Sequence, residues 1–105
     1  MHATVRRYEG VDTSRTEELS KKVNESLLPR LSELPGFSGY YLIEAGDGIM
    51  TSIGLFETLP QAQESTHVAE GWVREEKLET ALPNRPTITS GEVIARKTKG
   101  GRFSA

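Results

Sequence analysis

The 105-residue sequence predicts an α+β domain in which strand, helix, strand, strand, helix and strand follow one another. Packed economically with right-handed crossovers, that order gives a four-stranded antiparallel sheet with both helices on one face. Two observations carry the expectation. Segments with their own helix caps and apolar steps of three and four residues alternate with segments of strand character, and the two middle strands are joined by a Gly-Asp-Gly turn. The connections are short, and no internal repeat or low-complexity stretch interrupts them.

The first strand is ATVRRY at residues 3–8, an alternating segment followed by a Gly-Val-Asp link. Ser14 with Glu17 reads as a capping box, after which Leu19, Val23, Leu27, Leu31 and Leu34 recur at helical spacing. Pro29 projects away from that stripe, so its missing amide is expected to bend the helix with the proline on the solvent side. Pro35-Gly36 ends the helix. Thr58 and Gln61 form the second cap, with Ala62, Thr66, Ala69 and Val73 facing inward and Trp72 on the flank. Gly71 weakens that helix by about 1 kcal/mol relative to alanine. The LPNRP segment at 82–86 is a stop and a turn, and the last strand is expected over residues 87–95.

The hairpin between the helices is apolar on both faces. With Asp47-Gly48 as a two-residue type I′ turn, Ala45 pairs with Met50, Ile43 with Ser52 and Tyr41 with Gly54. One face then carries Phe37, Tyr41, Ile43, Met50 and Phe56, and the other Tyr40, Leu42, Ile49, Ile53 and Leu55. A one-residue slip exchanges partners but leaves both faces apolar. Two helices cover one face only, so the pattern predicts a homodimer through sheet faces, with a second copy covering the other.

Composition bounds the rest. Hydrophobic residues at 35% and charged residues at 27% describe an ordinary globular chain with one modest core, expected over residues 1–97 and followed by a basic flexible tail at 98–105. A net charge of -2 argues against a nucleic-acid partner, and the RKTKGGR run at 96–102 reads as a solvated chain end. No apolar run suits a membrane span and the opening MHATVRRYEG has no secretory segment, so no membrane partner and a cytoplasmic location are expected. The absence of cysteine removes thiolate chemistry and the usual structural zinc sites. GDG joins two strands, whereas phosphate and dinucleotide loops introduce helices.

The opening ATVRRYEG, the ELPGFSGYYLIEAGDG passage, the SIGLFE strand and the Trp-bearing helix together resemble the antibiotic biosynthesis monooxygenase-like proteins of the dimeric α+β barrel superfamily. The resemblance spans residue 3 to about residue 95 and lies in the combined order of these segments. It implies a ferredoxin-like βαββαβ fold, a homodimer, and a pocket between sheet and helices. It also implies a range of activities: cofactor-free oxygenases of polycyclic aromatics, haem-degrading enzymes, isomerases and members with no assigned role. The haem-degrading pattern of an Asn on the first strand, with Trp and His on the second helical region, fails here. The first strand has no Asn, and His67 precedes Trp72.

For an oxygenase of that kind, the resemblance makes Trp72 a stacking platform for a flat substrate, Tyr40 or Tyr41 a phenolic donor and Arg7 a stabiliser of an enolate. Each has a structural alternative: core anchoring for Trp72, cross-strand packing for the tyrosines, a surface ion pair for Arg7. His67 is the sole interior histidine and a weak acid–base candidate, because regular helical projection turns it outward. No metal site and no cofactor are expected: Glu64, His67 and Glu70 share one helix without a second histidine or an acid-rich strand. Whether the chain is an enzyme is left open among three classes. These are a cofactor-free oxygenase acting on an aromatic or apolar small molecule, a non-catalytic small-molecule binding protein, and a structural homodimer without a pocket.

Overall fold

The computed structural model describes residues 1–97, in which the expected ferredoxin-like architecture is present. Strands β1 (His2–Tyr8), β2 (Phe37–Gly46), β3 (Ile49–Phe56) and β4 (Thr87–Glu92) form one antiparallel sheet in the order β2-β3-β1-β4. The last strand ends at Glu92, short of residue 95; a single bond from the Val93 amide to the Met1 carbonyl at 2.8 Å follows it. The expected basic tail at 98–105 lies outside the described residues.

The first helical run is α1 (Thr16–Lys22), a wider π-turn (Val23–Leu27) and α2 (Leu28–Ser32). Its start differs from expectation. Asp12, not Ser14, is the cap, accepting from the Ser14 amide at 3.1 Å ahead of a 3-10 turn over Thr13–Arg15. Leu19, Val23, Leu27 and Leu31 are buried as the periodicity predicts. Steps of four residues drift by about 40° each around a regular helix. The π-turn, with its Leu28 amide bonded back to the Val23 carbonyl, counters that drift and keeps the stripe on the sheet. Pro29 is exposed on the outer side, and its absent amide is accommodated directly after this turn.

α3 (Leu59–Glu75) begins with the predicted box. Thr58 Oγ1 accepts from the Gln61 amide, and Gln61 Oε1 accepts from the Thr58 amide at 3.1 Å. Gly36 stands against the same side chain. It has φ +77°, and a Cβ there would overlap the Gln61 amide, so the Pro-Gly-Phe turn and the α3 cap form one unit. The buried stripe of α3 is Ala62, Ser65, Ala69 and Trp72, rotated from the expected one; Trp72 belongs to the core, while Thr66 and Val73 are half-buried.

The hairpin register also differs. Asp47 at φ +54° and Gly48 at φ +74° form the two-residue turn, but the ladder shifts between Glu44 and Gly46 at a bulge. Tyr41 therefore pairs with Ile53 and Tyr40 with Gly54. The helix side of the sheet carries Phe37, Tyr40, Leu42, Met50 and Phe56, with Phe37 and Phe56 edge-to-face at 5.7 Å. The open face carries Val5, Tyr41, Ile43, Ile53 and Leu55, all half-buried or exposed, with Tyr41 at 44% and Ile43 at 45%. The expectation that both faces are apolar holds, although the one-residue shift on β2 exchanged Tyr40 and Leu42 with Tyr41 and Ile43 between them.

Candidate functional site

β1 alternates like any strand, so Thr4, Arg6 and Tyr8 turn to the helices and Ala3, Val5 and Arg7 to the open face. The two polar residues Arg6 and Tyr8 thus enter the layer between sheet and helices. Arg6 is 2% exposed. Its Nη1 donates to Thr66 Oγ1 at 3.3 Å, its Nε has no hydrogen-bond partner, and among the described residues it makes no ion pair. Ser52, paired with Arg6 across β1 and β3, is buried on the same face with its hydroxyl beside the Tyr40 phenol. A guanidinium out of water without a carboxylate is costly, and its unpaired Nε adds to that cost.

Arg6 faces a cavity of about 30 Å³ between sheet and helices. Tyr8, Tyr40, Leu42 and Met50 line its sheet side, and Leu19, Val23, Leu27, Ala69 and Trp72 its helix side. No carboxylate or imidazole lines it among the described residues. Burial pushes both the Tyr8 and the Tyr40 phenols above the usual tyrosine value, and the positive charge of Arg6 pulls each the other way. Both phenols are therefore neutral at physiological pH and able to donate a proton. Trp72, 3% exposed, is fixed by its Nε1 donating to Ser26 Oγ at 3.0 Å. Ser26 comes from the π-turn that also supplies Val23 and Leu27 to the wall.

The structure brings together some of the residues singled out from sequence and separates others. Tyr40 and Trp72 line the cavity. Tyr41 lies on the open face opposite Ile53. Arg7 lies on that face too, paired with Glu9 at 3.2 Å with both side chains more than half exposed. His67 is exposed on α3, where it borders a surface groove with Thr66, Ile88 and Ser90, and is not among the cavity's lining residues. Arg6 and Tyr8 were missed. The ATVRRY alternation shows that one of two adjacent arginines must face the helices, but not which, since the apolar residues of this strand face away from the helices. Among the described residues no group of His, Asp and Glu is arranged to hold a metal ion, and no helix is long and apolar enough to cross a membrane.

No protein-family model matches the chain, and no curated protein does. Solved structures do match. A protein of unknown function from Nitrosomonas europaea superposes with a TM-score of 0.72 at 20% identity, covering 95% of each chain. The monooxygenase from the gene ActVA-Orf6 of Streptomyces coelicolor, solved in complex with the ligand nanaomycin D, gives a TM-score of 0.69 at 15% identity, over 92% of this chain and 90% of that one. A dimeric ferredoxin-like protein from an uncultured marine organism gives 0.68 at 13% identity, over 93% of this chain and 91% of that one. At such identities the likeness is one of fold, and the chain has the ferredoxin-like α+β fold of the antibiotic biosynthesis monooxygenase-like proteins.

Proposed function

We propose that the cavity binds a flat, acidic aromatic molecule as its phenolate or enolate and that the protein acts on it as a cofactor-free oxygenase. One observation carries the reading: Arg6, charged at any physiological pH, is buried at a cavity with two neutral phenols and no acid to balance it. An anionic ligand would supply the missing charge and accept hydrogen bonds from groups already fixed in place. Trp72 and Leu42 offer apolar walls to a ring. The lining holds no general base, so the acidity must come from the ligand itself; this favours phenols and enolisable ketones over neutral arenes.

With such an anion the oxidative step needs only dioxygen. The carbanion equivalent passes one electron to O2, the two radicals combine at carbon, and the protonated hydroperoxide loses water to leave a carbonyl. A methylene and O2 become a ketone and H2O. Arg6 would stabilise the anion, Tyr8 and Tyr40 would return the proton, and the walls would exclude water.

The functional unit in this reading is a homodimer in which a second copy covers Tyr41, Ile43 and Ile53. The dimeric ferredoxin-like protein of the same fold supports that arrangement. The test compares 1,2-dihydroxyanthraquinone with its dimethyl ether by quenching of Trp72, the sole tryptophan. Binding at least about tenfold tighter for the phenol is expected for one charge-assisted contact; equal affinities would defeat the anion reading. Oxygen uptake with a hydroxyanthrone, without flavin or metal, then separates an oxygenase from a binding protein.

A further inference from the structure

The cavity beside Arg6 holds about 30 Å³. A cavity that takes up benzene is several times larger, on the order of 150 Å³. A ring therefore fits only if side chains around the cavity move, and three of them also border a neighbouring groove. Tyr8, Val73 and Leu82 line the cavity on one side and, on the other, a surface groove of about 280 Å³ edged by Glu70, Arg74, Asn84 and Arg85.

We infer that this groove is the entrance and outer half of the Arg6 site, and that Leu82 is the side chain that governs what passes. The inference rests on the anion-binding reading only for the identity of what enters. Leu82 stands where a fixed segment becomes a free one. Upstream, Leu78 and Ala81 are fully buried, the Leu82 amide donates to the Leu78 carbonyl at 2.9 Å, and the Asp12 amide donates to the Ala81 carbonyl at 3.0 Å. Downstream, residues 83–86 belong to no helix or strand and make no such backbone bond among the described residues.

One built contact holds that free segment over the mouth. Asn84 Nδ2 donates to the Glu9 carbonyl at 3.0 Å, and the Asn84 amide rests on Gly10, where a Cβ would come within 2.6 Å of it. Gly10 has φ +70°, so the residue that allows the chain to turn after β1 also leaves room for the tether. The rim carries Glu70 and Glu79 with Arg74 and Arg85, equal numbers of each sign, in contrast to the unbalanced Arg6 inside. The ligand class that fits the joined site is elongated: an acidic ring inward, and a neutral end rich in hydroxyl or amide groups in the groove.

Two variants of the full chain test this. Asn84→Ala removes the tether without touching the lining of the inner cavity; Leu82→Ala thins the partition. Acrylamide quenching of Trp72 needs no ligand and should rise about threefold or more in Leu82→Ala and measurably in Asn84→Ala. In stopped flow with 1,2-dihydroxyanthraquinone, Asn84→Ala should raise both the association and the dissociation rate by about threefold or more. Unchanged quenching in both variants, each checked for native circular dichroism, would overturn the inference. So would association and dissociation rates in Asn84→Ala equal to the parent's. If the probe does not bind the parent protein, the anion reading fails, and the quenching comparison still decides whether Leu82 is the gate.

Discussion

Replacing Arg6 by methionine should make the protein more stable while removing its affinity for anions. The guanidinium is 2% exposed, has no ion-pair partner among the described residues, and leaves Nε unpaired. Desolvating an ion in a protein interior costs several kcal/mol after relaxation. Against this stand the long bond from Nη1 to Thr66 Oγ1 at 3.3 Å and the approach of the Tyr8 and Tyr40 phenols to the guanidinium, which together contribute about 1.5–3 kcal/mol. Methionine is similar in length, adapts to irregular space and leaves the half-buried Thr66 hydroxyl close to solvent. The net expectation is a gain of about 1–3 kcal/mol, or roughly 4 °C or more in Tm for a domain of this size. Urea unfolding followed by Trp72 emission provides the measurement, at one fixed protein concentration because a dimer couples stability to concentration. A loss of more than about 1 kcal/mol would refute the reasoning, since it would mean that the fold holds Arg6 by interactions that outweigh its desolvation.

Three further outcomes follow from other parts of the fold. Ile53→Asp places a charge in the middle of the open apolar face, and sedimentation should show a dimeric parent and a folded variant near the 11.6 kDa monomer mass; a monomeric parent would contradict the dimer. Gly36→Ala forces a side chain into the left-handed region and onto the Gln61 cap, and should cost about 1–3 kcal/mol; a Tm equal to the parent's would show that this turn is not strained by a Cβ. The Tyr8 and Tyr40 phenols titrate above their unfolded value, so the fold favours their neutral forms. Their contribution is complete below the unfolded tyrosine value near pH 10 and is lost as pH rises through the higher folded values; the urea midpoint should fall on that alkaline limb, and less steeply in Tyr40→Phe.

Much of the fold is legible in the sequence because local chemistry and long-range packing agree there. The Leu19–Leu31 stripe, the Thr58–Gln61 box and the Asp47-Gly48 turn each specify their element without help from the rest of the chain. The departures occur where two local solutions compete. Asp12 and Ser14 are both competent caps, and the choice is made by the 3-10 turn that precedes α1. The bulge between Glu44 and Gly46 moves the β2 side chains by one residue, and no alternation rule detects it when both faces are apolar. The candidate site was half visible. Trp72 and Tyr40 stand out as aromatics near the sheet, whereas Arg6 and Arg7 differ only in phase. Phase is normally read from which residues are apolar. On β1 that rule would point Val5 toward the helices, whereas Val5 lies on the open face, itself apolar, which reverses it.

If Arg6 makes this cavity a receptor for an anion, it must shift the ionisation of a phenol bound there. 1,2-Dihydroxyanthraquinone changes colour when it loses a proton, so its acidity can be titrated free, bound to the parent protein and bound to Arg6→Met. The bound probe should ionise at a lower pH than the free one, by about one unit or more for a charge-assisted contact in a dry site, and Arg6→Met should abolish the difference. A probe that binds the parent in its neutral form, with an ionisation at or above that of the free dye, would contradict that role for Arg6.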